Sequence, residues 1–94
     1  MEENKARKLL VDTGKKLLET GLVARTWGNI SCRLDEDNIV ITPSGLDYTK
    51  TNEEDIVKLN ISTGEWQGIH KPSGEKKIHI AAYQQFPDVN FVIH

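Results

Sequence analysis

The 94-residue chain has little of several things. It has one cysteine, Cys32, so it cannot close an internal disulfide, and a reducing, cytoplasmic setting is the expectation. No apolar run approaches the about 20 residues that a membrane-spanning helix needs, and the N-terminus lacks the apolar core of a signal peptide. Charge of one sign is also lacking. Twelve Lys and Arg stand against fourteen Asp and Glu, a net charge of −2, and this gives no bulk attraction to nucleic acid or to an anionic membrane. Basic residues do gather early (Lys5, Arg7, Lys8, Lys15, Lys16), but Glu2, Glu3, Asp12 and Glu19 interrupt them, as on a solvated helix face. There is no internal repeat and no low-complexity linker. The length suits one small domain.

What is present reads as a mixture of helix and strand. Ala6, Leu9, Leu10, Leu17 and Leu18 recur at helical spacing over residues 3 to about 20, and Gly21 sits where a C-terminal cap glycine belongs. Ile30-Ser31-Cys32-Arg33-Leu34 alternates as a half-buried strand does. A polar turn, Asp35 to Asn38, leads back into a second strand at Asn38-Ile39-Val40-Ile41. Residues 55–61 read as a third strand, with a short piece around Trp66 after the turn at Ser62-Thr63-Gly64-Glu65. A second helix is expected from about Gly74 to Gln85, with Ile78, Ala81 and Ala82 on one face and Pro87 ending it. Val89 to His94 reads as a buried strand. The order predicts an α/β layer arrangement.

Three short segments share one chemical character: Thr26 to Asn29, Thr42 to Gly45, and Pro72 to Gly74. Glycine lets backbone N–H groups approach an oxyanion closely, and short hydroxyl or amide side chains add donors. Ser73 is a candidate N-cap for the second helix, whose free N–H groups favour an anion. Converged, the three would cradle a phosphate with little formal positive charge. Taken singly, each is ordinary turn chemistry, and composition cannot say that they meet. Glu75 falls in the first turn of that helix, either as a simple dipole-favoured carboxylate or as a general base beside an anion. His79 lies one turn further and reads as a packing or hydrogen-bonding residue. His70, in a polar loop, has no role. His94 closes an apolar strand, where metal ligation and a satisfied core histidine explain it equally well.

Gly28-Asn29-Ile30-Ser31, Ile41-Thr42-Pro43-Ser44-Gly45, Lys71-Pro72-Ser73-Gly74-Glu75 with His79 and Tyr83, and Pro87-Asp88-Val89 running to Val92-Ile93-His94 stand in the order and spacing of the class II aldolase/adducin family. The resemblance covers essentially the whole chain, with the L-fuculose-phosphate aldolases as its nearest branch. It implies a three-layer α/β/α sandwich around a largely antiparallel central sheet, assembled as a homotetramer with active sites between subunits. It further implies a phosphate site from Thr26, Gly28, Asn29, Ser44, Gly45, Ser73 and Gly74. Glu75 would be the catalytic acid/base, and His94 the first ligand of a zinc ion or another divalent metal. Many relatives carry Ser where Gly74 stands, which removes a hydroxyl and keeps the backbone N–H.

The implied reaction is cleavage of a ketose 1-phosphate, such as L-fuculose 1-phosphate, to dihydroxyacetone phosphate and an aldehyde through a metal-stabilised enediolate. Glutamate at position 75 fits an aldolase or a methylthioribulose-phosphate dehydratase of the family better than an epimerase, which tends to carry Asp there. Glu75 and His94 together argue against the non-catalytic adducin-like branch. The family's later metal ligands are not among these 94 residues, so the chain is expected to be the N-terminal part of one such domain. Its partners would be a phosphorylated sugar, the C-terminal half and further copies of itself.

Overall fold

A computed structural model describes residues 1–23 and 28–94. Helix α1 spans Glu3–Glu19, and the strands β1 (Ile30–Arg33), β2 (Asn38–Ile41), β3 (Val57–Asn60) and β4 (Trp66–Gln67) follow. Helix α2 (Lys76–Gln85) and strand β5 (Phe91–Ile93) come next, and a short 3-10 turn at Glu53–Asp55 precedes β3. The sheet order is β4-β3-β2-β1-β5, and every neighbouring pair is antiparallel.

The period-two alternation sends each strand's side chains to two different layers. Ile30 and Cys32 of β1 and Val40 of β2 join Ala6 and Leu10 of α1, with Leu46, Tyr48 and Ile56, in one apolar cluster. Ile39 and Ile41 of β2 and Val57 and Leu59 of β3 pack with Tyr83 of α2 and Ile61 in the other. The sheet therefore lies between α1 and α2, the expected three-layer α/β/α order. Each fully buried Ile or Leu contributes about 1.5–3 kcal/mol relative to exposure.

Helix α1 stops where the sequence says it should. Gly21 adopts φ 75°, its N–H bonds the Leu18 carbonyl and the Leu22 N–H reaches the Leu17 carbonyl, closing the end with paired backbone bonds. Where α1 crosses the other layer it uses Gly14, because a Cβ there would lie 2.4 Å from the Tyr48 ring. Arg33 ties α2 to the sheet. Its guanidinium donates to the Val89 and Tyr83 carbonyls at 2.9 and 3.0 Å and lies over the Tyr83 ring.

The structure identifies the inward face of the second helix and corrects one expectation, the burial of the last strand. The inner face of α2 is His79 and Tyr83, both buried, while Ile78 is 44% exposed and Ala81 is exposed. The sheet surface beneath α2 includes the hydroxyl of Ser31, so polar partners face it. The last strand is not buried. It forms one edge of the sheet, with Phe91 and Val92 half-buried and Ile93 and His94 exposed. Among the described residues, no helix is long and apolar enough to cross a membrane.

Candidate functional site: a junction of three loops

The loops that composition could not join do meet, and Thr42 is the joint. Its N–H donates to the Ile30 carbonyl at 3.0 Å, and its Oγ1 accepts from the Ile30 N–H at 3.2 Å. Its carbonyl accepts from the Ser73 N–H at 2.9 Å. One residue thus binds the start of β1 to the approach to α2. Pro43 and Pro72 stand opposite each other in an isolated antiparallel bridge, and the Ser44 N–H donates to the Lys71 carbonyl at 2.8 Å. Asn29 and His94 exchange both backbone bonds, each 2.9 Å, which brings β5 to the same end of the sheet.

Of the predicted phosphate ligands, Gly28, Asn29, Ser44, Gly45, Ser73 and Gly74 belong to this junction. Thr26 lies outside the described residues. Gly28 and Gly45 take φ 89° and 70°, the left-handed region that glycine enters without a Cβ penalty. A Cβ at Gly28 would also sit 3.1 Å from Val23 and 3.4 Å from both the His94 carbonyl and the Tyr48 hydroxyl. That hydroxyl is buried and has no hydrogen-bond partner among the described residues. Burial pushes its pKa up to about 12, so it stays a neutral donor. Among the described residues, no acceptor receives the N–H of Gly45 or Gly74, and both glycines are exposed.

Ser73 is not the expected N-cap of α2. The cap position belongs to Glu75, and Ser73 Oγ accepts from the Glu75 N–H at 3.2 Å as part of the turn before the helix. The Glu75 side chain is exposed at this N-terminus, where the helix dipole favours a carboxylate or a bound anion.

The three histidines divide sharply. His70 is paired with Asp55 at 2.8 Å, and hydrogen bonds from the Asn52 backbone and then from His70 hold the Asp55 carboxyl below its usual range. His79 is completely buried and hydrogen-bonds through both ring nitrogens, to Ser31 and to Asn29. Burial first, and the His94 ring second, lower its pKa to about 4, so the ring is neutral. Both nitrogens being engaged, it cannot ligate a metal. The His94 ring is exposed, so burial demands nothing of it, and it makes no hydrogen bond among the described residues. These residues hold no cluster of three or more His, Cys, Asp or Glu side chains suited to a metal ion. His94 alone does not fit a catalytic metal, which needs about three protein ligands.

Sequence reasoning placed Thr42, Ser31 and Tyr83 in its motifs without seeing that they connect the loops, and it gave no part to Tyr48, which packs against Gly28. Ser31 carried a usable signal, being a hydroxyl on an apolar strand. His79 and Tyr83, four apart on one helix, carried the matching one.

The profile of the Class II Aldolase and Adducin N-terminal domain matches residues 8–94. A 5-deoxy-D-ribulose 1-phosphate aldolase from Bacillus thuringiensis is 41% identical over 91 residues, covering 96% of this chain and 43% of that protein. A methylthioribulose-1-phosphate dehydratase from Xylella fastidiosa is 35% identical over 86 residues, 92% of this chain and 39% of that one. A solved L-fuculose 1-phosphate aldolase superposes with a TM-score of 0.88 at 37% identity, over 96% of this chain and 43% of its own. The chain thus spans less than half the length of these relatives, and the shared portion contains the whole loop junction. It belongs to the class II aldolase and adducin N-terminal domain family.

Proposed function

We propose that residues 1–94 are the N-terminal part of a single class II aldolase-like domain and carry its phosphate-binding wall and proton-transfer group. The substrate is a ketose 1-phosphate such as L-fuculose 1-phosphate, cleaved to dihydroxyacetone phosphate and an aldehyde. The observation that carries this reading is the stitching of three Gly-, Ser- and Asn-bearing loops beside the exposed Glu75 carboxylate. The exposed N–H groups of Gly45 and Gly74 are the kind of donors an oxyanion seeks.

Gly28, Asn29, Ser44, Gly45, Ser73 and Gly74, with Thr26, hold the phosphate and fix the substrate's register against Glu75. In the cleavage direction Glu75 returns a proton to the carbon that becomes the hydroxymethyl group of dihydroxyacetone phosphate. In condensation it removes that proton. Zinc or another divalent ion is the proposed cofactor, with His94 as one ligand and the remaining ligands outside the described residues. A cytoplasmic homotetramer is the proposed setting, on the family resemblance alone. A second reading, a dehydratase acting on methylthioribulose 1-phosphate, is favoured by the Xylella fastidiosa relative.

The test is product analysis on the full-length, metal-loaded protein with L-fuculose 1-phosphate, 5-deoxyribulose 1-phosphate and methylthioribulose 1-phosphate. Dihydroxyacetone phosphate should accumulate from at least one ketose 1-phosphate. Its absence from all of them overturns the aldolase reading, and water loss from the thio-sugar would establish the dehydratase instead.

A further inference from the structure

Beneath the loop junction, four polar side chains form one continuous buried chain of hydrogen bonds. Tyr83 Oη lies 2.8 Å from Ser31 Oγ, Ser31 Oγ lies 2.6 Å from His79 Nδ1, and His79 Nε2 meets Asn29 Oδ1. Ser31 and His79 are fully buried, Tyr83 is 2% exposed and Asn29 9%. A buried polar group left unpaired is costly, so the direction of each bond is constrained.

The chemistry of the groups fixes that direction. The Asn29 carbonyl oxygen can only accept, so His79 Nε2 carries the proton. In a neutral imidazole Nδ1 then accepts, and Ser31 must donate to it. Ser31 Oγ in turn accepts from the Tyr83 hydroxyl. In this order every proton from the Tyr83 hydroxyl to His79 Nε2 has an acceptor. In the reverse order the Asn29 amide would be turned over, and the Tyr83 O–H would be left with no acceptor among the described residues. The chosen order leaves one donor uncommitted. The Asn29 NH2 group makes no hydrogen bond within the described residues and is not sealed from solvent. It stands at the loop end of the sheet, next to Gly28 and on the residue whose backbone is clamped to His94.

We propose that Tyr83, Ser31 and His79 are positioning residues for anion binding: they lock the Asn29 carboxamide so that its NH2 group, never its oxygen, faces the substrate phosphate. The proposal rests on the phosphate reading of the loop junction and deepens it. An unlocked Asn presents its oxygen part of the time, and an oxygen dipole repels the anion that the junction is built to receive. Three residues that never touch substrate thereby act through one that does. The same geometry accounts for the histidine and the tyrosine that α2 turns inward.

The experiment uses the isotope-labelled full-length protein and inorganic phosphate as the probe. Nitrogen NMR of the imidazole reports which ring nitrogen of His79 carries the proton, and the Asn29 side-chain amide signals report the anion. The wild-type chain should show the Nε2–H form and a phosphate-dependent shift of the Asn29 NH2 signals. Tyr83→Phe removes the first donor and should weaken phosphate binding by about threefold to tenfold, with a mixed population of His79 tautomers. Ser31→Ala cuts the chain at its centre and should weaken binding by about tenfold or more. A wild-type His79 protonated at Nδ1 overturns the proposal, and so does phosphate affinity unchanged in folded Tyr83→Phe. A wild-type chain that binds phosphate in neither signal overturns the phosphate reading itself. Where Ser31→Ala does not fold, the wild-type tautomer and Tyr83→Phe decide the question.

Discussion

The two ends of the sheet are made of the same residue types and do opposite things with them. At the hairpin end, Asp35 Oδ1 accepts from the backbone N–H groups of Asp37 and Asn38, and Asn60 Oδ1 accepts from those of Ser62 and Thr63. Thr63 Oγ1 takes the Glu65 N–H, and Gly64 turns the chain at φ 74°. The donors there are satisfied locally, as in ordinary side-chain-capped turns. At the loop end, Asn, Ser, Thr and Gly occur again, but backbone bonds run between loops, and the N–H groups of Gly45 and Gly74 find no acceptor among the described residues. Turn composition is therefore uninformative about function. What separates a binding loop from a structural one is which donors remain uncommitted after the fold has closed.

The strongest way to sharpen that contrast is Glu75→Gln in the full-length, metal-loaded protein. Removing the proposed proton-transfer group should lower kcat by about 100-fold to 10,000-fold while KM changes little. The exposed side chain means the thermal midpoint should hold. A fall in KM affinity without a fall in kcat would move Glu75 from chemistry to binding.

The next effect is on stability with pH. His79 has its folded pKa lowered to about 4 by burial, against 6.5 in the unfolded chain. The unfolded state therefore binds the proton first. Stability is complete above about pH 6.5 and declines as the pH falls toward 4, by on the order of 2–3 kcal/mol. Denaturant titrations at pH 7 and pH 4.5 should show the loss, and His79→Gln should flatten it. Hydrogen exchange should place the loosening at the loop end first. An equal loosening at both ends would break the comparison.

How much of this was legible beforehand depends on what each pattern encodes. The end of α1 was, because Gly21 adopts the left-handed conformation its position implied. The first two hairpin strands were, because Ile39 and Ile41 alternate with Val40 across a sheet with two covered faces. The inner face of α2 was not, since hydrophobic periodicity counts Ile78 and Ala82 and cannot see that Ser31 waits on the sheet. The exposure of β5 was not either, because an apolar run reads the same on an edge as in a centre. The candidate site was half-legible. Its residues stood out as motifs, but their convergence depends on Thr42, whose three bonds are purely tertiary.

Gly28→Ala probes the loop end by geometry alone. A side chain at φ 89°, 3.1 Å from Val23, should cost about 1–3 kcal/mol and weaken phosphate binding as well. The matched change at the hairpin end, Asp35→Ala, should cost no more than about 1 kcal/mol and leave phosphate binding untouched. Thermal melts paired with phosphate titrations check both. Comparable binding losses in the two variants would erase the distinction between the ends.

The sheet order also has a consequence for how the molecule assembles itself in time. Strands β1, β2 and β3 follow one another as short-range antiparallel neighbours, whereas β5 must return to β1 from the far end of the chain, pairing Ile93 with Ile30. Closing that long loop carries the larger entropic cost, so the meander is expected to form before β5 docks. The Asn29–His94 backbone pair forms with that docking. The meander of β1, β2 and β3 is thus expected to be ordered before the loop junction closes.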